Sequence, residues 1–110
     1  MEINVQKNDS TNVIALSGRL DTTNYGDLEK KLFELIENNE IKIVVDCSDL
    51  EYVSSSGLRI FLMGLKKINA VNGRFVLCGL QDNIKEIFEI SGFSTVFEIF
   101  GNIDEATSSF

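Results

Sequence analysis

Histidine, tryptophan and proline are all absent from this chain of 110 residues. Without histidine there is no Ser-His or Cys-His pair, so hydrolases that depend on such a nucleophile are excluded. The commonest protein ligand of transition metals is missing for the same reason. The composition therefore argues against a hydrolytic enzyme and against a transition-metal site.

The two cysteines and the amino-terminal residues indicate where the protein works. Cys47 and Cys78 are far apart and form no C-x-x-C motif, which is typical of a chain from a reducing compartment. We expect both to be small buried side chains. The first ten residues have no basic segment and no apolar core, so no signal peptide is expected. No apolar run approaches the ~20 residues that cross a membrane. The prediction is a cytoplasmic protein.

Length and charge further limit the number of domains and the kinds of binding partner. A chain with 44% hydrophobic and 25% charged residues is typical of one globular domain, which we place at residues 1–110. Ten basic and 17 acidic residues give a formal net charge of −7, which repels phosphate backbones and anionic membranes. No direct nucleic-acid or membrane binding is expected. The charge suits a partner with a basic face, but it serves equally well to keep a small domain in solution.

Apolar periodicity predicts the element order β-β-α-β-α-β-α-β-α. The predicted strands are residues 2–6, 12–17, 41–45, 74–78 and 96–100; the predicted helices run from a cap at Thr22–Asn24 to Asn38, from Leu58, from a cap at Asp82 to Ser91, and over 103–108. The order predicts an α/β fold with a mostly parallel sheet and an antiparallel N-terminal strand. Gly18 is expected to end the second strand, and residues 46–49 to form a loop. Sites in such sheets lie at the carboxyl ends of strands, which directs attention to residues 18–24 and 46–57.

Three consecutive serines and a glycine, Ser54 to Gly57, stand before the second predicted helix. One interpretation is helix capping, in which a serine hydroxyl accepts a first-turn N–H and contributes about 1 kcal/mol. One serine is enough for a cap, so spare hydroxyls remain. The other interpretation is phosphorylation or anion binding, because free amides and the helix dipole favour negative charge there. Catalysis by a serine lacks a base, since Lys66 and Lys67 lie two to three turns further along the predicted helix.

Aspartates offer further chemistry at the same edge of the predicted sheet. Asp46 and Asp49 follow the third strand, where a response regulator carries its phosphoacceptor, but the second acidic cluster that would hold Mg²⁺ is absent. We therefore expect Asp46 to cap a loop. Asp21 either caps the turn into the first helix or lies beside the serine cluster, because the second and third strands can end at the same edge.

Several segments resemble the anti-sigma factor antagonists, a family built on the STAS domain. Gly18 to Asp21 resembles the family's Gly-x-Leu-Asp after the second strand, and Val44 to Leu50 resembles its third-strand signature. Tyr52 to Leu58 resembles its loop of aspartate, serine, serine or threonine, glycine and leucine. The spacing of Asn72 to Cys78 and of Ile87 to Phe93 also matches. The resemblance covers essentially the whole chain and implies a STAS-like fold.

The resemblance also implies a regulatory binding protein rather than an enzyme, with no cofactor and no metal. In this family the unphosphorylated antagonist binds an anti-sigma factor and frees the sigma factor. The anti-sigma factor is often a serine kinase that phosphorylates the antagonist and so ends the association, and a phosphatase resets the cycle. By position the phosphoacceptor is Ser55, and Asp21, Ser54, Ser56 and Gly57 line the same partner-facing patch. The oligomeric state is left open.

One departure from the family and two alternative functions accompany this interpretation. The family usually has aspartate where this chain has Ser54, which leaves Ser54 and Ser56 as alternative acceptors. A STAS module that is not phosphorylated would instead bind a small anion or nucleotide at the start of the second helix. No G-x-x-x-x-G-K-[ST] or G-x-G-x-x-G motif is present, so such nucleotide binding would be weak. An enzyme has the least support, because no acidic pair is arranged for acid–base work.

Overall fold

The computed structural model describes residues 1–110 and has the element order that the sequence predicts. The strands are β1 (Glu2–Asn8), β2 (Thr11–Leu20), β3 (Lys42–Val53), β4 (Arg74–Cys78) and β5 (Glu98–Phe100). The helices are α1 (Tyr25–Glu37), α2 (Ser55–Ala70), α3 (Asp82–Ile90) and α4 (Ile103–Ser108), and a 3₁₀ turn spans Phe93–Thr95.

The five strands form one mixed sheet in the order β1-β2-β3-β4-β5. β1 and β2 are antiparallel, and every other neighbouring pair is parallel. This arrangement confirms the predicted α/β class with a mostly parallel sheet, an antiparallel N-terminal strand and four helices. Because β2, β3 and β4 run in one direction, their carboxyl ends meet at one edge of the sheet.

Three helices cover one face of the sheet, and the fourth covers part of the other. The main core receives side chains from α1, α2 and α3, whereas α4 contributes Ala106 to a second, smaller cluster. Ile43 and Val45 belong to the main core and Val44 to the smaller cluster, as expected for an inner strand buried on both faces. No helix combines the length and the apolar character that crossing a bilayer requires.

β3 is the main correction to the sequence-based prediction. The apolar pattern predicts a strand at 41–45 and a polar loop at 46–49, whereas the strand continues to Val53. Its residues in the main core are Ile43, Val45, Cys47, Leu50 and Val53, so their spacing widens from two to three. Each wider step coincides with a register shift in which β3 carries one extra residue against β2. Such bulges hide a strand from a search for period two.

β2 also extends beyond its predicted end. Gly18 does not end the strand, which continues to Leu20. Gly18 instead lies beside the second register shift and has a φ of +90°, a conformation that glycine adopts without steric cost. The two bulged strands therefore reach the same edge together.

Several other boundaries differ by one to three residues; β1, for example, ends at Asn8 rather than at residue 6. α2 begins at Ser55 rather than near Leu58. Asp82 is the first residue of α3 rather than its cap, which is Gln81. β5 begins at Glu98 rather than Val96, because the 3₁₀ turn precedes it.

Both cysteines are buried, as the sequence predicts. Cys47 lies in β3 and Cys78 ends β4, and neither side chain is accessible to solvent. Burial raises the pKa of both thiols, that of Cys78 to about 12. Each therefore stays protonated and behaves as a small apolar side chain.

Candidate functional site

The candidate site lies at the carboxyl edge of the sheet, where β2 and β3 end side by side. Leu20 and Val53 are register partners, and the amide of Ser54 donates to the carbonyl of Leu20 at an N···O distance of 2.9 Å. The chain therefore leaves β2 at Asp21 and β3 at Ser54 from neighbouring points. The structure brings together the two segments, 18–24 and 46–57, at which the sequence predicts a site.

Ser54 is the N-cap residue of α2. Its backbone is extended, and its Oγ accepts a hydrogen bond from the amide of Gly57 at 3.2 Å. Its carbonyl accepts from the amide of Leu58 at 2.9 Å. These bonds satisfy two donors of the first helical turn, so the capping interpretation is confirmed for this serine.

Ser55 and Ser56 are the first two residues of α2, and the cap does not use their hydroxyls. Ser55 is exposed and Ser56 is half-buried. The first turn of this helix contains no acidic side chain, so nothing within it repels an anion. Ser55 therefore presents the most accessible of the three hydroxyls, at a helix end whose dipole favours negative charge.

The segment Ser54–Gly57, which caps and begins α2, is called the serine loop below. Gly57 faces the interior and holds this loop in place. A Cβ here would lie 2.8 Å from Leu20 Cγ and 2.8 Å from Val53 Cγ2, closer than packed carbon atoms approach. The missing side chain lets the first turn of α2 pack directly on the ends of β2 and β3. Ser55 and Ser56 are held at the surface as a result. A contact of Gly57 with a partner stays a prediction.

Asp21 fits both roles that the sequence leaves open. Its Oδ1 accepts from the amide of Thr23 at 3.0 Å and from the Thr23 hydroxyl at 2.6 Å, and its carbonyl accepts from the amides of Asn24 and Tyr25. It therefore caps the turn into α1 while lying beside the serine loop. The bonds from Thr23, helped by the charge of Arg19, lower the pKa of the Asp21 carboxyl. The edge thus carries a firmly ionised carboxylate at neutral pH.

Asp46 and Asp49 lie on β3, and the contacts of Asp46 are those of a local cap. Asp46 lies within β3 at the first bulge, where its Oδ1 accepts from the amide and the hydroxyl of Ser48 at 3.1 and 2.6 Å. The predicted capping role is therefore correct, but it stabilises a bulge rather than a loop. The structure has no group of three or more acidic or cysteine side chains that could hold a metal ion.

The serine loop is an open surface and not a pocket. One depression, of about 340 Å³, lies between α3 and β5 and is lined in part by Leu80, Phe88 and Phe100. Four other depressions, of about 380 to 550 Å³, also contain no residue of the loop. Small-molecule sites are concave and bury most of their ligand, whereas an open rim suits contact with a macromolecule.

Arg19 and Tyr52 flank the site, and neither was predicted from the sequence as a site residue. They are register partners on β2 and β3, and Arg19 Cζ lies 4.1 Å from the centroid of the Tyr52 ring. Arg19 Nε also lies 3.9 Å from Oδ2 of Asp21. The available signal was the place of each residue directly before a buried strand end, at Leu20 and Val53. The two bulges concealed that pairing.

Comparisons with known proteins give a family and close relatives. The STAS domain family matches residues 2–106. The protein BtrV of Bordetella bronchiseptica, described as a candidate anti-sigma factor antagonist, is 34% identical over 110 residues, which cover 100% of this chain and 95% of BtrV. This chain therefore spans nearly the whole length of that relative.

Two proteins with solved structures share the fold. A candidate anti-sigma factor antagonist from Thermotoga maritima has a TM-score of 0.93 at 20% identity, over 97% of this chain and 92% of its own. SpoIIAA of Bacillus has TM-scores of 0.78 unphosphorylated and 0.79 phosphorylated, at 20% and 23% identity, over 98% of this chain and 96% and 98% of its own. The match to residues 2–106 and the 34% identity with BtrV confirm the resemblance seen in the sequence, and the chain belongs to the STAS domain family, beside relatives named as anti-sigma factor antagonists.

Proposed function

We propose that this chain is an anti-sigma factor antagonist controlled by phosphorylation of Ser55. Its unphosphorylated form binds an anti-sigma factor that has serine-kinase activity, phosphorylation ends the association, and a cognate phosphatase restores it. Residues 1–110 act as one domain in the cytoplasm, where the two unpaired cysteines are stable. The protein is a binding partner in this cycle and not an enzyme. One observation carries the proposal: Ser55 is exposed at the start of α2, next to a serine already used as the cap.

The local contacts favour Ser55 over its neighbours as the acceptor. A kinase needs a hydroxyl that it can reach and align. The Ser54 hydroxyl is held by the amide of Gly57, and Ser56 is half-buried. Among the solved structures of the same fold is SpoIIAA in a phosphorylated form, which supports the idea that this fold accommodates a phosphate.

Phosphorylation acts on binding through charge and bulk at the partner-facing patch of Asp21, Ser54, Ser55, Ser56 and Gly57. A neutral hydroxyl can be covered by a partner, whereas a phosphate brings about −1.5 to −2 charges at neutral pH. The ionised Asp21 lies beside the same loop, so the added charge is concentrated there. Burying such a group without a cation costs several kcal/mol, and a loss of ~4 kcal/mol weakens binding about a thousandfold. The domain need not refold.

The first test maps the phosphate. The chain is incubated with the anti-sigma factor of its own organism and ATP, and intact mass and fragment spectra are recorded. We expect one phosphate on the wild type and on Ser56→Ala, and none on Ser55→Ala. A phosphate on Asp46, or no phosphate from an anti-sigma factor that phosphorylates another antagonist, would contradict the proposal.

The second test measures binding directly. Calorimetry compares the wild type, Ser55→Asp and a matched control, Ser94→Asp, which places the same charge on an exposed serine of the 3₁₀ turn. We expect Ser55→Asp to bind the anti-sigma factor at least tenfold more weakly and the control to bind like the wild type. Equal affinity of Ser55→Asp and the wild type would show that added charge and bulk at residue 55 do not weaken binding, and would contradict the proposed switch.

A further inference from the structure

Arg19 and Tyr52 form a stacked pair on the sheet, next to the serine loop. They face each other across β2 and β3, with Arg19 Cζ 4.1 Å from the centre of the Tyr52 ring. The next residue on each strand, Leu20 and Val53, is buried in the main core. Because successive side chains of a strand point to opposite faces, Arg19 and Tyr52 lie on the face away from α1 and α2.

The pair is exposed and has unused hydrogen-bonding capacity. The side chain of Arg19 is 61% exposed, and Tyr52 is 36% exposed. The second contact of the guanidinium, with Asp21 Oδ2 at 3.9 Å, is too long for a hydrogen bond. The N–H donors of Arg19 are therefore available to another molecule, in a fork that matches a carboxylate.

The Tyr52 ring gives the guanidinium a preferred place. A cation over an aromatic face is attracted by the ring electrons, and stacking limits the conformations of an otherwise flexible side chain. A side chain that is already placed loses less freedom when a partner binds. Arginine and tyrosine are also among the residues that contribute most to protein interfaces.

The stacked pair lies next to two residues of the proposed partner-facing patch, Asp21 and Ser54. The charge of Arg19 attracts the carboxylate of Asp21. The hydrogen bond from the amide of Ser54 to the carbonyl of Leu20, the residue after Arg19, joins the end of β2 to the start of the serine loop. A macromolecule that covers Ser55 and Asp21 would therefore reach Arg19 as well. In a chain with a formal net charge of −7, this guanidinium is a local positive group, and an acidic group of a partner would complement it.

We propose that the Arg19–Tyr52 pair is part of the surface that receives the anti-sigma factor, and that Arg19 pairs there with a carboxylate of that partner. The inference rests on the proposed function, since it takes the same partner. It adds a contact that phosphorylation does not alter. The serine loop then supplies the switch, while the stacked arginine supplies affinity and partner choice.

The test measures affinity for the anti-sigma factor by calorimetry, with Ser55→Asp in the same series. We expect Arg19→Glu to weaken binding roughly 30-fold or more, because it places two carboxylates opposite each other. The matched control Lys42→Glu makes the same reversal of charge at the other end of β3 and is expected to bind like the wild type. Circular dichroism melting verifies that each variant is folded.

Two further variants separate charge from stacking and keep the test decisive if Arg19→Glu fails to fold. Arg19→Gln should bind more weakly than the wild type, with an affinity that depends less on salt concentration. Tyr52→Phe keeps the ring and should bind normally, whereas Tyr52→Ala should lose part of the affinity. If Ser55→Asp loses binding while Arg19→Glu and Arg19→Gln bind like the wild type, this inference is wrong and the proposed function stands. If the wild type does not bind an anti-sigma factor, both are wrong.

Discussion

The hydroxyl of Ser54 accepts a hydrogen bond from the amide of Gly57, three residues further along the chain. This bond caps α2. We expect Ser54→Ala to lower the free energy of unfolding by about 1 kcal/mol. Ser54→Asp should keep the cap, because a carboxylate also accepts the bond and suits the positive end of the helix dipole. Urea unfolding followed by circular dichroism measures both.

The neighbouring serine provides the control for the cap. Ser55 is exposed and lies outside the capping bond, so Ser55→Ala should change stability by less than ~0.5 kcal/mol. Equal losses in Ser54→Ala and Ser55→Ala would show that the bond to Gly57 contributes nothing particular. The stabilities of these variants also decide whether a binding defect reflects the surface or the fold.

Replacement of glycine by alanine is expected to have opposite effects on stability at Gly57 and at Gly26. A Cβ at Gly57 would meet Leu20 and Val53 at 2.8 Å, whereas a Cβ at Gly26 has nothing within 4 Å. We expect Gly57→Ala to cost about 1–3 kcal/mol through overpacking. Gly26→Ala lies within α1 and should stabilise the protein by up to ~1 kcal/mol.

Thermal and urea unfolding measure the stability of the Gly57→Ala and Gly26→Ala variants. A Gly57→Ala protein as stable as the wild type would mean that α2 can move away from the strand ends without cost. In that case the close packing would not be what holds Ser55 at the surface. A loss of stability at Gly26 would point to a steric problem that the geometry does not contain.

Most of the fold could be predicted from the sequence because apolar periods are regular in most elements. The run Ile43 to Val45 marks an inner strand, and the face shared by Leu58, Phe61, Leu65 and Ile68 marks a helix. The second half of β3 could not be predicted in this way. Its two bulges shift the buried positions out of period two, so that residues 46–53 look like a polar connection.

Part of the candidate functional site could also be predicted from the sequence. Asp21 and the serine loop could be placed together, because parallel strands bring their carboxyl ends to one edge. The sequence does not show which serine caps the helix and which is left free. That depends on which hydroxyl reaches the amide of Gly57. The contact between Arg19 and Tyr52 also stayed hidden, because it requires the register of two bulged strands.

Arg74 joins the edge of the sheet to the carboxyl-terminal residues in a pH-dependent way. Its Nε and Nη2 donate to the two carboxylate oxygens of Glu98 at 3.2 and 2.7 Å, and its Nη1 donates to the carbonyl of Ser109 at 2.6 Å. The bonds from Arg74 lower the pKa of Glu98. The stabilisation is therefore present above the ordinary glutamate pKa near 4.5 and is lost as the pH falls through the lower pKa of the folded state.

Glu98→Gln is expected to reduce stability at pH 7 by about 1 kcal/mol or less, because the glutamate is more than half exposed. The difference from the wild type should vanish in strongly acidic solution. Urea unfolding at a series of pH values measures it, with Glu89→Gln, an exposed residue of α3, as the control. A difference that persists unchanged at low pH would show that the side chain acts through packing and not through its charge.

Two hydrogen bonds from Thr23 lower the pKa of Asp21. Its hydroxyl and amide both donate to Oδ1 of the carboxylate, and these two bonds are the largest causes of the lowered pKa of Asp21. Thr23→Val keeps the shape of the side chain and removes the hydroxyl donor. We expect the pKa of Asp21 to rise toward its ordinary value near 3.8 in this variant, because the ionised form loses its shortest hydrogen bond. Carboxyl ¹³C chemical shifts recorded over an acid titration report the change.

Thr22→Val is the matched control, because it makes the same substitution at an exposed neighbouring residue that forms none of the hydrogen bonds to Asp21. Its titration should overlay that of the wild type. Asp21 remains ionised at neutral pH in all three proteins, so partner binding at pH 7 should depend little on Thr23. Equal titration curves for Thr23→Val and the wild type would mean that the backbone amide and Arg19 hold the charge by themselves.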